Sequence, residues 1–268
     1  MIRRDHQSAW ALIPQTAHAR LAADLARDWC APRLESFRWF DVLRSAIATH
    51  DDGWAEYEQV PTIAPETGIP RDFTEMPMTV STAFWSRGIV AAAERDPWCA
   101  LWISDHFCRL AEFASASRRD NADDMAAIHH FQQEQSALKK EWRAEVRKRS
   151  PDPDEDERFG VECVRFFDRV SLWLSCAPPT TPWNVTTPDG SEVCWTPVTE
   201  SDIEVAPYPW SSSPRTLEVT GHLIPARVYL DDTDLRRTLL SAPPVVFRWS
   251  LVGRRDRKTS ESVQQETT

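Results

Sequence analysis

A histidine and an aspartate stand next to each other at the end of a predicted helix, and this pair constrains the fold more than any other feature of the sequence. The helix is indicated by Phe40, Leu43 and Ile47, which recur at helical spacing. His50 and Asp51 continue this apolar stripe and are therefore predicted to point into the core. An imidazole and a carboxylate at one buried point offer two ligands for a metal ion. The alternative interpretation is that the pair only caps a helix end.

Four other predicted helices carry a histidine or a carboxylate on or near an apolar face. These are His18 in residues 15–30, His106 in residues 97–115, His130 in residues 121–149 and Asp168 in residues 158–176. An unpaired charge on such a face costs several kcal/mol, so Asp168 needs a partner, and a metal ion would serve. Taken singly, the histidines are also explained as core residues with a hydrogen-bonded neighbour or, for His130, as part of a solvated face.

Composition restricts the partners of the protein. A formal net charge of −10 argues against a general nucleic-acid surface or an anionic membrane surface. No apolar run approaches the roughly 20 residues of a membrane span, and the apolar run that follows the first residues is too short for a signal peptide. The six cysteines form no Cys-x-x-Cys pair, which argues against structural zinc on thiolates. We expect a cytoplasmic protein with a small-molecule partner, and a homodimer is compatible with the sequence.

The sequence pattern of the chain changes near residue 177. Residues 1–13 are predicted to be strand-like or irregular, and predicted helices dominate from there to residue 177. A long Pro-rich connection over residues 55–78 interrupts the helices and is a candidate lid. After residue 177, short alternating runs separated by turn residues predict strands. The predicted fold is mainly α. It comprises an α-helical metal-binding domain over residues 1–177, a small β-rich module over residues 178–252 and a disordered tail over residues 253–268.

The order His, His-Asp, His, His, Asp resembles the HD-domain superfamily of metal-dependent enzymes. The run from His50 to Trp54 and the long connection are similar to an uncharacterised bacterial branch of that superfamily, and the resemblance covers about residues 14–176. It implies an HD-like helical bundle with a first metal on four ligands, a second metal on two further histidines, and Asp51 bridging both ions. The first four ligands are His18, His50, Asp51 and Asp168, and the further two are His106 and His130.

The resemblance also implies where a substrate would bind. Members often have a substrate-contacting Lys shortly after the His-Asp pair, and here Trp54 stands in that neighbourhood. Arg169, beside Asp168, is the candidate contact for an anionic substrate. Trp54 and Arg169 are therefore the two predicted substrate-binding residues.

The expected function is hydrolysis of a phosphorylated small molecule by metal-activated water, with one or two divalent ions. Divalent metals lower the pKa of bound water, and histidine and carboxylate ligands suit Fe, Mn and Zn alike. The same ligands fit a mixed-valent di-iron oxygenase, which is the first alternative. A non-catalytic ligand-binding or interaction module is the second, and Trp54 in place of the Lys favours it.

Overall fold

The computed structural model describes residues 1–254, so the predicted disordered tail lies outside the described residues from position 255 onward. The helices of this part are α1 (Gln15–Ala26), α2 (Pro32–Glu35), α3 (Phe40–Thr49), α4 (Ala55–Gln59), α5 (Met78–Arg95), α6 (Pro97–Ser117), α7 (Ala122–Val146), α8 (Pro153–Ser175) and α9 (Asp232–Ser241). The strands are β1 (Ile2–His6), β2 (Ala9–Ile13), β3 (Trp183–Thr186), β4 (Glu192–Pro197), β5 (Asp202–Ala206), β6 (Arg215–Pro225) and β7 (Pro244–Gly253). Within the described residues, no helix combines the length and the apolar character that crossing a membrane requires.

The strands form one seven-stranded sheet in the order β1-β2-β6-β7-β5-β4-β3. Neighbouring strands are antiparallel except β5 and β7, which run parallel. The long strand β6 links the two halves of the sheet, because Leu217 near its start lies opposite Trp249 of β7 while Ile224 near its end lies opposite Trp10 of β2. The sheet therefore takes strands from both sides of residue 177, where the sequence places a domain boundary.

This architecture overturns the predicted fold class. The molecule has an α/β arrangement of helices against a seven-stranded sheet, not a mainly α HD-like bundle with a separate C-terminal β-rich module. The error began in residues 1–13, which form a hairpin of β1 and β2 that joins β6. Short strands of this kind gain their stability from partners distant in the chain, so a local pattern does not reveal the sheet to which they belong.

Aromatic side chains join the helices to the sheet in one core. The ring of Trp29, just after α1, lies edge-on to Phe166 and Phe167 of α8, with centroid distances of 5.3 Å and 5.4 Å. It also meets Trp210, whose ring in turn lies 6.0 Å from that of Trp195 in β4. Such pairs contribute about 0.5–1.5 kcal/mol each beyond the area that they bury. Helix α8 is therefore anchored firmly against the sheet.

The start of α8 explains why this helix is longer than the predicted residues 158–176. Asp152 caps it by accepting a hydrogen bond from the backbone N–H of Glu155, and Pro153 occupies the first helical position. Three acidic residues lie in the first turn, where the positive end of the helix dipole stabilises their charge: Asp154, Glu155 and Asp156. The polar stretch that reads as a break between helices is therefore the first turn of α8.

Candidate metal centre

Five of the predicted ligands meet at one buried point among helices α1, α3, α6 and α8. This His/Asp cluster comprises His18 on α1, His50 at the end of α3, Asp51 directly after it, His106 on α6 and Asp168 on α8. Asp168 is the most exposed of them, at only 8%. His18 Nε2 lies 2.7 Å from Asp51 Oδ2, and His50 Nε2 lies 3.3 Å from the same oxygen and 3.4 Å from Asp168 Oδ1. Four separate helical segments thus converge on one polar centre.

The hydrogen bonds of His50 determine which of its ring nitrogens can bind a metal. Its Nδ1 lies 2.8 Å from the carbonyl oxygen of Ile47, and since a carbonyl only accepts, Nδ1 carries the hydrogen. In the neutral ring, Nε2 then presents a lone pair. That atom is buried and has no hydrogen-bond partner within the described part of the chain. A lone pair held in place by a hydrogen bond on the opposite nitrogen is typical of metal-binding histidines.

His18 is held in the same way. Its Nδ1 lies 2.8 Å from Ser171 Oγ, and the Ser171 hydroxyl donates its single hydrogen to the carbonyl oxygen of Asp168. Ser171 therefore accepts from Nδ1–H, which leaves His18 Nε2, 2.7 Å from Asp51 Oδ2, as the nitrogen that can bind a proton or a metal ion. Two imidazole nitrogens and two carboxylates thus face one another, and a proton or a metal ion between them would supply the positive charge that this buried group requires.

The pKa shifts in the cluster agree with this need for positive charge. Burial disfavours a charged His50, but the carboxylates of Asp51 and Asp168 outweigh burial and raise the pKa of His50 well above its usual value. Burial also opposes ionisation of the two aspartates, yet the neighbouring histidines lower the pKa of both. Burial lowers the pKa of His106 to about 4, so its ring is neutral near pH 7. A proton or a metal ion at His50 Nε2 would each supply the missing charge.

The spacing of the ligand atoms fits a small divalent ion. Metal–ligand bonds of 2.0–2.1 Å in tetrahedral geometry place neighbouring ligand atoms about 3.3–3.4 Å apart. The two distances from His50 Nε2 match this value, whereas His18 Nε2 lies closer to Asp51 at 2.7 Å and farther from Asp168 Oδ1 at 3.9 Å. His18, His50 and Asp168 each offer one ligand atom within 4.8 Å of the others, which is close enough for the three to hold one metal ion. His106 Nε2 faces the other oxygen of Asp168 at 3.8 Å.

Gly53 positions the His50–Asp51 turn by close contact with α5. A methyl group on Gly53 would collide with the backbone carbonyl of Phe84 and would lie 3.1 Å from the backbone nitrogen of Gly88. The two glycines therefore let the short 3₁₀ turn at Asp52–Trp54 pack directly on the helix backbone. Gly53 does not adopt the left-handed conformation, so its role here is close packing and not a reversal of the chain.

A cavity of about 270 Å³ leads to the cluster. His18, Asp51, His106 and Asp168 lie on its wall, together with Trp54. Trp54 is buried against Phe84 and Tyr57, and its indole N–H has no hydrogen-bond partner in the described structure. The predicted connection over residues 55–78 contributes Phe73, Thr74, Met76 and Met78 to the same wall. The cluster is thus accessible from a space that suits a small molecule.

Two predicted site residues lie elsewhere. His130 is exposed on α7, whose buried face is formed by residues such as Ile128 and Phe131, and it borders a separate surface depression with Glu134. The structure therefore does not bring His130 to the cluster as a second-metal ligand. Arg169 is also exposed, with its guanidinium carbon 5.9 Å from the centroid of Trp183. Neighbouring helical residues are about 100° apart, so Asp168 points inward and Arg169 points toward β3.

Sequence reasoning missed the residues that orient and surround the cluster. Ser171 follows Asp168 by three residues, so it lies on the same helical face, and that spacing was the available signal. Gln15 and Arg118 line the cavity, but neither stands in a recognisable motif. Their position depends on how helices pack, which local spacing does not express.

The fold and the cluster define an α/β protein with a buried histidine–carboxylate centre. The chain belongs to the family described as "Protein of unknown function (DUF3891)", whose model matches residues 1–226. The match covers helices α1 to α8 and strands β1 to β6, and together with the seven-stranded sheet it overturns the HD-domain resemblance. The search of curated proteins found no match, and neither did the search of solved structures.

Proposed function

We propose that the protein is a metal-dependent hydrolase of a small molecule, with the His/Asp cluster as its metal centre. The observation that carries the proposal is the position of His50 Nε2, which is buried, held by the hydrogen bond from Nδ1 to the Ile47 carbonyl, and 3.3 Å and 3.4 Å from the carboxylates of Asp51 and Asp168. A bound divalent ion would lower the pKa of its water toward neutrality and so supply hydroxide at the working pH. Support also comes from the adjoining cavity, which gives a small molecule access to this centre.

Each residue of the cluster has a role in this proposal. His18, His50 and Asp168 hold the ion, and Asp51 adds a second carboxylate beside both imidazoles. Ser171 and the Ile47 carbonyl fix the ring orientations, as the outer hydrogen bonds of metal sites do. His106 is neutral near pH 7 and faces Asp168 from the cavity wall, so it is available to a second ion or to a substrate.

Phosphate esters are the substrates to test first. Divalent metal centres of this ligand chemistry suit phosphoryl transfer to water. Arg169 gives this prediction no support, because it lies outside the cavity. The cytoplasmic location and the homodimer stay predictions.

The test combines metal content with hydrolysis. The full chain is loaded with Mn²⁺, Zn²⁺ or anaerobic Fe²⁺, its metal content is measured by mass spectrometry, and p-nitrophenyl phosphate and bis(p-nitrophenyl) phosphate are assayed. We expect bound metal and metal-dependent release of nitrophenol, both lost in the double variant His50→Ala, Asp51→Ala. Asp52→Ala is the matched control, since Asp52 is the next residue but pairs with Arg95 at the surface. Unchanged metal stoichiometry in the double variant would show that the proposed ligands are wrong.

An oxygen-activating iron enzyme is the second candidate. Its specific support is the three-ligand group of two histidines and one carboxylate, a set that non-haem Fe(II) oxygenases use. Oxygen consumption by the iron-loaded protein with a product absent under anaerobic conditions would favour it. Hydrolysis that proceeds without oxygen would favour the hydrolase, and bound metal with neither activity would favour a ligand-binding module.

A further inference from the structure

The cavity beside the His/Asp cluster is elongated. Its wall on α6 includes His106, Leu110, Ala114 and Arg118, which recur every four residues and therefore form one stripe along the helix. From His106 to Arg118 this stripe extends about 18 Å at 1.5 Å per residue. The cavity therefore has two ends, one at the cluster and the other at the C-terminal end of α6.

The wall between these two ends is mostly apolar. It is formed by Phe73, Met76, Met78, Trp85, Phe107, Leu110 and Leu172. Methionines adapt their shape to apolar ligands, and Met76 and Met78 both line this cavity. An apolar wall gains free energy by burying hydrocarbon and offers little to a sugar or a polar peptide. The middle of the bound molecule is therefore expected to be apolar.

Arg118 marks the far end of the cavity with positive charge. Among the described residues of the wall it is the single Lys or Arg. Its Nη1 donates to Asp124 Oδ2 at 2.9 Å and its Nη2 donates to the Thr74 carbonyl at 3.0 Å. The buried Asp124 also accepts from the backbone N–H of Met78, so its charge is shared between two donors. Because a guanidinium has five N–H donors, three are left for a ligand.

We propose that the substrate is an elongated, mainly apolar molecule whose far end carries an oxyanion, a carboxylate or a phosphate, bound by Arg118. The group that reacts is at the opposite end, beside the His/Asp cluster, and this part rests on the proposed function. Arg118 is prepared for an anion, since Thr74 and Asp124 hold its guanidinium in one orientation while 27% of the side chain is exposed. Arg118 acts in specificity and binding, 12 residues along α6 from the reacting centre.

Binding of simple amphiphiles to the full chain tests this inference without any turnover. Calorimetry compares octanoate and octylphosphonate, whose P–C bond is not hydrolysed, with the neutral octanamide, in protein supplied with Mn²⁺ and in protein treated with chelator. We expect the two anions to bind about 5- to 10-fold more tightly than octanamide in both samples, as a charge-assisted hydrogen bond provides. The tighter of the two anions identifies the oxyanion class.

Variants then locate the effect. Arg118→Gln should remove the preference for anions and leave octanamide binding unchanged, while Arg118→Lys retains part of the preference. Arg109→Gln is the matched control, because Arg109 lies on the outer face of α6 and pairs with Glu112. Leu110→Trp fills the middle of the cavity, so it should weaken the binding of all three probes irrespective of their charge, while the metal content stays unchanged.

The outcomes separate the inference from the proposed function. If the protein binds no metal but still prefers anions through Arg118, the proposed hydrolase is wrong and the proposal for the cavity is supported. If the protein binds metal and also binds octanamide as tightly as octanoate, the proposed anion site at Arg118 is wrong while the proposed metal centre is unaffected. Absence of binding by all three probes, or an anion preference that survives Arg118→Gln, would also overturn the assignment of Arg118.

Discussion

Helices α6 and α8 carry a buried group of polar side chains on one face and a group of paired charges on the other. The His/Asp cluster lies on the inner face, whereas a partly exposed charge network, formed with residues of α7 and comprising Asp105, Arg143, Arg147, Asp154, Glu157, Arg158, Glu162 and Arg165, lies on the outer face. Asp105 directly precedes His106, so one step along α6 separates the two groups. In the network, donors meet acceptors, as when Lys139 donates to Asp105 and Arg143 donates to Glu157. In the cluster, two carboxylates and the imidazoles share one buried point that no Lys or Arg side chain neutralises within the described residues.

This difference shows which polar residues need a ligand and which do not. Exposed ion pairs satisfy themselves and contribute little, because water already solvates both partners. Buried carboxylates and imidazoles that share one point lack water, and such groups are costly unless a proton or a metal ion joins them. Charge density alone would select the network as the functional site. Hydrogen-bond balance selects the cluster.

The largest expected effect comes from Gly53→Ala, which disturbs the cluster through the backbone. The new methyl group would collide with the Phe84 carbonyl, so the His50–Asp51 turn must move away from α5. We expect a loss of about 1–3 kcal/mol in the free energy of unfolding, as overpacking costs, and a loss of bound metal. Urea denaturation and metal analysis measure the two effects.

Gly190→Ala is the control for this change. Gly190 has a φ of +86° with open space around it, so alanine there introduces backbone strain of about 1 kcal/mol without any collision. Its metal content should equal that of the unchanged protein. If Gly53→Ala also keeps its metal and its stability, close packing of the turn does not position the cluster.

Arg143→Met breaks the charge network and is expected to have a smaller effect. Arg143 donates two hydrogen bonds from Nε and Nη2 to Glu157 Oε1, at 3.0 Å and 2.7 Å, but about a third of its side chain is exposed. We expect the free energy of unfolding to fall by about 1 kcal/mol at low salt and by less in 1 M NaCl, because salt screens exposed pairs. Metal content and hydrolysis should stay unchanged. Loss of metal in this variant would mean that the two faces of α8 are coupled.

The smallest effect is expected at an ion pair far from both groups. Arg227 donates two hydrogen bonds to Asp234, and they lower the pKa of this exposed carboxyl from its ordinary 3.8 to about 2. Because the folded pKa is depressed, the stabilising contribution is present above pH 3.8 and is lost as the pH falls through about 2. In Arg227→Gln, an NMR titration of Asp234 should show its midpoint returning toward 3.8. An unchanged midpoint would show that the pair does not form in solution.

Much of the candidate site could be predicted because helical periodicity is local. The apolar faces of the predicted helices place His18, His106 and Asp168 inward, and the structure brings them together with His50 and Asp51. His130 is exposed on α7, because the packing of that helix buries other residues of its surface. Arg169 is predicted as a substrate contact because it stands beside Asp168, but adjacent helical residues face different directions.

The sequence by itself determined the helices and the inward direction of their polar residues, since both follow from the spacing of apolar side chains along a single segment. Only the tertiary structure decided that β1 and β2 join β6 in one sheet, that Ser171 and the Ile47 carbonyl orient the imidazoles, and that Arg118 closes the far end of the cavity. These features depend on contacts between segments far apart in the chain. Their free energy arises when distant surfaces are buried together, and no local pattern carries it.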